Sequence, residues 1–257
     1  MLEPAATPSR EEQPPLFLTS PLLAAVGLPH LFTTRHFPGV TSPGQGGPPF
    51  QASALELLAQ LGVAPAVPAF LRQVHGADVL PAAEGGLVGL ADAVTTDRRG
   101  LALAIFTADC LPIVIYDVAG ARLALVHAGW RGTAQSAARA AAAALIAAGG
   151  KPETFVAAIG PSIGPCCYEV DGPVIERFES AFPGRWRAWV MPRAPGKWML
   201  DLWRANVEQL EMAGLDPARI ESRRLCTFCR GDLFFSYRRG RGEGRLVAVA
   251  ALPAGAC

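Results

Sequence analysis

The clearest pattern in the chain lies in FTADCLPIVIYDVAGARLALVHAGWRG, residues 106–132, where two apolar runs flank a short link. DVAGAR is too short for a parallel crossover, which needs a dozen or more residues, so the runs predict an antiparallel hairpin of core strands. Upstream, LFLTSPLLAAVGLPHLFTTR reads as short strands and turns, FPGVTSPGQGGPPFQ as a Gly/Pro loop, and ALELLAQLG as a short amphipathic helix stopped by Gly62. LRQVHGADVLPA reads as a strand interrupted by a turn at Gly76. ADAVTTDRRG reads as a polar connection, and LALAIFTADCLPIVIYD as a strand pair or one bent strand. Downstream, an Ala-rich helix is predicted from Thr133 to the Gly149–Gly150 stop. TFVAAIGPSIGPCCYEV is a buried strand leading into a Gly/Pro loop, while PVIERFESAF and LDLWRANVEQLEMAGL are helical by spacing. RRLCTFCRGDLFFSYRRG and GRLVAVAAL are expected to close the chain as strands. Strands and helices are mixed and no linker or repeat divides them. The pattern predicts one mixed α/β domain over residues 16–257, after a loose tail at 1–15.

The hairpin carries candidate chemistry. With its turn centred between Ala119 and Gly120, Cys110 lies opposite Gly129, and His127 is two residues from Gly129 on the same strand. An offset of two keeps both side chains on one face of the sheet, with backbones about 7–8 Å apart. That separation suits two donors converging on one ion; a one-residue slip would put them on opposite faces. The alternative is a small buried thiol and a satisfied core histidine. Against it stands the polar, Gly-rich setting of Asp109 beside Cys110 and of Gly129 to Gly132 after His127. The strand-to-helix turn at WRG adds free backbone N–H groups which, with Arg131, suit an anion such as phosphate.

Composition narrows the choice further. With 257 residues, 51% hydrophobic and 18% charged, the chain can bury a sizeable core. A net charge of +1 gives no electrostatic case for a nucleic-acid partner or an anionic membrane, and no obligate protein partner is evident. The segment TAQSAARAAAAALIAAGG is too short and polar to span a bilayer. MLEPAATPSREEQPP lacks the apolar stretch of a secretory signal, so a cytoplasmic location with mostly reduced cysteines is expected. Cys166-Cys167 and Cys226-x-x-Cys229 raise the question of a second, structural zinc. Adjacent cysteines rarely point the same way on an extended chain, and one CxxC is a weak pattern, so packing or pocket lining is the expectation.

Six motifs in order carry a resemblance: RQVHGADV, DAVTTDRRGLALAIFTADCLPIVIYD, LALVHAGWRGT, AAIGPSIGPCCYEV, LDLWRANVEQL and CTFCRGDLFFSYRR. Over roughly residues 30–250 the chain resembles the bacterial YfiH-type proteins. That family is also called laccase-domain or multicopper polyphenol oxidase, peptidoglycan editing factor and purine nucleoside phosphorylase. The resemblance implies an α+β fold, a single four-layer αββα sandwich similar to the catalytic domain of cytotoxic necrotizing factor toxins. It also implies a zinc site formed by His75, Cys110 and His127, with copper possible in vitro. One departure stands out. The family usually carries a GGVS segment followed by Asn-Leu near the N-terminal loop, whereas TTRHFPGVTSPGQGGPPFQASALELL has no asparagine.

Three protein ligands leave a fourth position open, the pattern of a catalytic zinc whose water has a pKa of about 7. The resemblance implies phosphorolysis of adenosine, inosine, guanosine and methylthioadenosine to base and ribose 1-phosphate, and deamination of adenosine. Arg131 and Arg35 are the expected phosphate clamps. Gln73, Asp109 and Glu169 are candidates to orient a ligand or shuttle a proton. A rival reading makes Cys110 and His127 the nucleophile and base of an amidase acting on peptidoglycan precursors. A copper polyphenol oxidase is disfavoured by a total of four histidines. A binding module for a purine nucleotide or cell-wall fragment is the non-catalytic alternative.

Overall fold

The computed structural model describes residues 13–43, 47–240 and 242–254. Most of the tail expected at 1–15 lies outside the described residues. The chain begins with β1 (Phe17–Leu18), α1 (Pro21–Ala25), β2 (His30–Thr33) and α2 (Ala52–Gln60). Strands then follow in succession: β3 (Ala69–Arg72), β4 (Val79–Pro81), β5 (Gly86–Leu90), β6 (Ala93–Thr96), β7 (Ala102–Thr107) and β8 (Leu111–Asp117). Then come β9 (Arg122–Ala128), α3 (Trp130–Ala134), α4 (Ala137–Ala147), β10 (Phe155–Ile159), β11 (Glu169–Asp171) and α5 (Gly172–Ala181). The chain closes with β12 (Val190–Ala194), β13 (Lys197–Leu200), α6 (Leu202–Met212), β14 (Ile220–Ser222) and β15 (Leu246–Ala251).

Two six-stranded sheets form the middle of the molecule, in the orders β1-β2-β15-β7-β3-β5 and β14-β10-β8-β9-β6-β4. Their facing sides share one apolar core that includes Leu71, Leu103, Ile105 and Ala250 from the first and Val94, Val114, Leu125 and Val156 from the second. The outer face of the first sheet is covered by α2 through Ala54 and Leu58. The outer face of the second is covered by α4, α5 and α6, with Ala141, Leu145, Phe178 and Leu210 against Ile113, Val126 and Phe155. The layers therefore run helix, sheet, sheet, helix, as the resemblance implied. Strands β7, β8 and β10 are buried at every residue because each is covered on both faces. Their sequences accordingly run apolar without alternation.

The hairpin register is the expected one: Leu111 pairs with Ala128 and Pro112 with His127, which sets Cys110 opposite Gly129. Three expectations need correction. ADAVTTDRRG contains a true strand, β6, paired with β9, whose polar Thr95 and Thr96 occupy ladder positions. The Ala-rich helix starts earlier and breaks: α3 begins at Trp130, and Ser136, at φ 64°, kinks the chain before α4. RRLCTFCRGDLFFSYRRG has no strand and forms a series of turns held by side chains, with a single bridge between Cys226 and Ser162. LALAIFTADCLPIVIYD is indeed two strands, but β7 and β8 belong to different sheets.

Candidate metal centre

Both QVHG and TADC are crossings between the two sheets. Residues 73–78 carry the chain from β3 to β4, and residues 108–110 carry it from β7 to β8. His75, at φ 65°, and Asp109, at φ 91°, hold left-handed backbone conformations that side chains other than glycine rarely adopt. At the same edge β9 carries His127 as its next-to-last residue and turns through Gly129 into α3. The result is one imidazole from each of two segments and one thiol from a third. The donor atoms of His75, Cys110 and His127 lie within 4.8 Å of one another. The two imidazole rings meet edge to face, with centroids 4.9 Å apart.

One residue that the sequence did not single out organises this group. Asp92, fully buried immediately before β6, accepts a hydrogen bond from His127 Nδ1 at 2.8 Å. It also accepts from the backbone N–H groups of Val74, His75 and Gly76 at 3.2, 2.9 and 2.6 Å. One carboxylate thus fixes the His127 ring, leaving Nε2 to the site, and holds the left-handed turn that carries His75. Its pKa is lowered: burial opposes ionisation, but His127 and these N–H donors outweigh it. The only signal in the sequence was an Asp flanked by small apolar residues in ADAV.

Gly129 is needed for space. A Cβ there would lie 2.8 Å from Cys110 Sγ and 3.4 Å from His75 Cδ2. Burial by itself would raise the Cys110 thiol, yet the His127 and His75 rings hold it down to about 6. Burial would likewise lower His127, but the Cys110 sulfur and Asp92 raise it to about 9. Both shifts run in the direction that favours a thiolate beside an imidazolium. A soft or borderline cation would keep the thiolate and take the place of the proton on His127.

These donors line a cavity of about 640 Å³, within the range of roughly 300–1,000 Å³ of small-molecule sites. Of the other expected site residues, Arg131 lines it, its guanidinium stacked 4.4 Å from the Trp130 ring. Gln73 lines it as well, its amide bonded to the backbone of Phe106, donating at 2.7 Å and accepting at 2.8 Å. Asp109 faces the cavity with both oxygens occupied, one by Thr227 Oγ1 at 2.6 Å and one by the Arg238 backbone N–H at 2.7 Å. These two bonds anchor the 226–239 turns to the rim of the cavity.

Arg35 is not among the lining residues. It donates to the Gly231 carbonyl at 2.7 Å, stacks on Phe235 and faces Glu243. Glu169 is also turned away, its carboxylate 3.7 Å from Arg193. Arg72, Arg238 and Arg245 line the cavity instead, with the aromatic rings of Phe106, Trp130, Tyr168 and Tyr237. Among the described residues, none of Arg72, Arg131, Arg238 and Arg245 has a carboxylate partner within 4.0 Å. An anion in the cavity would meet uncompensated guanidinium charge.

The family described as multi-copper polyphenol oxidoreductase laccase matches residues 51–253. The chain is 40% identical over 200 residues to a purine nucleoside phosphorylase of Xylella fastidiosa, covering 76% of this chain and 75% of that protein. Among solved structures it is similar to YlmD of Geobacillus stearothermophilus, with a TM-score of 0.81 at 30% identity, over 93% of this chain and all of that one. It is also similar to the hypothetical protein YfiH of Bacillus licheniformis, with a TM-score of 0.78 at 29% identity, over 87% of this chain and 92% of that one.

Proposed function

The chain belongs to this YfiH-type laccase-domain family, and we propose that it is a purine nucleoside phosphorylase with Zn2+ held by His75, Cys110 and His127. The observation that carries the reading is the cavity itself. The three donors and four arginines without carboxylate partners open onto one space of nucleoside size. In phosphorolysis a phosphate oxygen bonds to C1′ of the ribose, the C1′–N9 bond breaks, and its electron pair leaves with the purine, which takes up a proton. Arg131 and Arg238 are assigned to the phosphate, whose paired oxygens suit guanidinium forks. The rings of Trp130, Tyr168 and Tyr237 offer flat faces for a purine. Zn2+ bound at the three donors would supply a Lewis acid and lower the pKa of a coordinated water. Deamination of adenosine, in which water replaces the C6 amino group and ammonia leaves, belongs to the same reading.

The donor set argues against copper oxidation. Of the four histidines in the chain, His30 accepts from the Ser20 backbone N–H at 2.7 Å and lies beneath Phe32, and His36 meets the Asp232 carbonyl on the surface. Only two imidazoles, His75 and His127, remain for the site, too few for the several copper ions of a multicopper oxidase.

A second reading has one observation in its favour. Asp92, His127 and Cys110 form a carboxylate–imidazole–thiolate relay, the arrangement of a cysteine hydrolase, and an amide substrate would suit it. Incubating adenosine with the zinc-loaded protein, with and without phosphate, separates the two. Adenine formed only with phosphate and lost on chelation is the expected result. Adenosine recovered intact, with amide hydrolysis that survives chelation, would move the cysteine hydrolase to the front. The R131A variant should raise KM for phosphate about tenfold or more, while R35A should leave it near the parent value.

A further inference from the structure

The four remaining described cysteines are brought together at a place the purine chemistry does not use. Cys166, Cys167, Cys226 and Cys229 put their sulfur atoms within 4.8 Å of one another. Cys229 Sγ is 3.5 Å from Cys166 Sγ and 3.4 Å from Cys167 Sγ. The adjacent pair shares a side because residues 165–167 are not extended. They form a turn in which the N–H groups of Cys167 and Tyr168 both bond to the Gly164 carbonyl. Cys226 and Cys167 pack in and against the apolar core as expected, but Cys166 and Cys229 are exposed, where apolar packing gives no reason to cluster sulfur.

We propose that these four cysteines form a tetrathiolate site for a thiophilic divalent cation, Zn2+, separate from the His75–Cys110–His127 group. Four thiolates around zinc at about 2.3 Å place neighbouring sulfurs about 3.8 Å apart, close to the separations seen here. A disulfide would join sulfurs two by two, whereas Cys229 stands at almost equal distance from two partners. The surroundings are those of a ligated thiolate. Cys226 is buried and accepts from the Gly164 N–H at 3.3 Å, and Arg239 donates to the carbonyls of Thr227 and Phe228 at 3.0 and 2.8 Å, bringing positive charge to the turn. Thiol protons leave to solvent as the ion binds.

The ion would join the 165–167 turn to the 226–229 turn. Tyr168 follows the first, and the second is tied through Thr227 and Asp109 to the rim of the cavity. A closed set of four thiolates leaves no open position, so the site is structural.

The test is metal titration of the reduced, chelator-stripped full-length protein with Co2+ and then Zn2+. It follows bound equivalents and the thiolate-to-cobalt charge-transfer absorption, with thermal melts to verify folding. The parent protein should bind two equivalents of Zn2+. H127A should bind one and keep the tetrathiolate absorption; C229S and C166S, altered at exposed positions, should lose that absorption and keep one equivalent. The proposal falls if reduced H127A binds no ion, or if C229S retains the tetrathiolate spectrum. A disulfide among these cysteines, with no such absorption after reduction, would equally overturn it. A parent protein that binds one ion with the tetrathiolate spectrum would instead remove the His75–Cys110–His127 reading and leave this one standing.

Discussion

Asp92 and Gly129 show how much of the proposed metal centre rests on residues that are not donors to it. Asn at position 92 would keep the shape but turn an NH2 group toward at least one of the N–H donors that Asp92 now satisfies. Leaving buried donors unpaired costs about 1–3 kcal/mol, and loss of an orienting carboxylate costs about 10–100-fold in metal affinity. D92N is therefore expected to melt earlier and to yield zinc to a chromogenic chelator at far lower competitor concentration. Gly129 separates space from conformation. Its φ of −78° and ψ of −179° are open to any residue, so alanine adds no backbone strain, only a methyl against the Cys110 sulfur. G129A should keep a melting temperature close to the parent's while losing metal at the histidine–cysteine site, read as bound zinc per chain. Neither role is visible from residue type alone: an aspartate in ADAV reads as a solvated link, and a glycine after a strand reads as a turn.

At the level of elements, the hairpin of β8 and β9 was legible because its short link allows only one topology and its two apolar runs fix the register. The helix that follows departs from the expected one, since a five-residue helix ending at a kink leaves no mark on composition. What holds α3 in place comes from α6, far along the chain. Asn206 donates to Thr133 Oγ1 at 2.9 Å and Gln209 to the Thr133 carbonyl at 2.8 Å, all three residues fully buried. This gives Asn206 and Gln209 of the LDLWRANVEQL motif a role: both face α3 and hold the segment that presents Arg131. N206A should lose about 1–2 kcal/mol in urea unfolding, the worth of a buried hydrogen bond with a partner left unpaired. If α3 is positioned in this way, KM for phosphate should rise more than kcat falls. β6 was missed for the opposite reason, because its polar Thr95 and Thr96 spend their backbone, not their side chains, in the ladder with β9.

At the scale of the whole molecule, stability should respond to acid through Asp117, where β8 enters the hairpin turn. Its side chain is 1% exposed and meets Arg122 Nη1 at 2.9 Å, Thr154 Oγ1 at 2.6 Å and the Gly120 N–H at 3.1 Å. Burial raises its pKa, but these donors outweigh burial and lower it. A carboxylate depressed on folding adds stability that is fully present above the unfolded value of about 4 and is lost as pH falls through the folded value. D117N should thus lower the melting temperature at neutral pH and show a flatter decline below pH ~4 than the parent protein. The sequence by itself determined the apolar strands, most of the helices, the hairpin register and the pairing of Cys110 with His127, because each depends on local spacing and short links. Tertiary structure alone decided which sheet each strand joins, and with it the meeting of QVHG, TADC and VHAG at one edge. Only long-range packing could bring Asp92 behind His127, turn Arg35 away while Arg72, Arg238 and Arg245 line the cavity, and gather four cysteines from two distant turns.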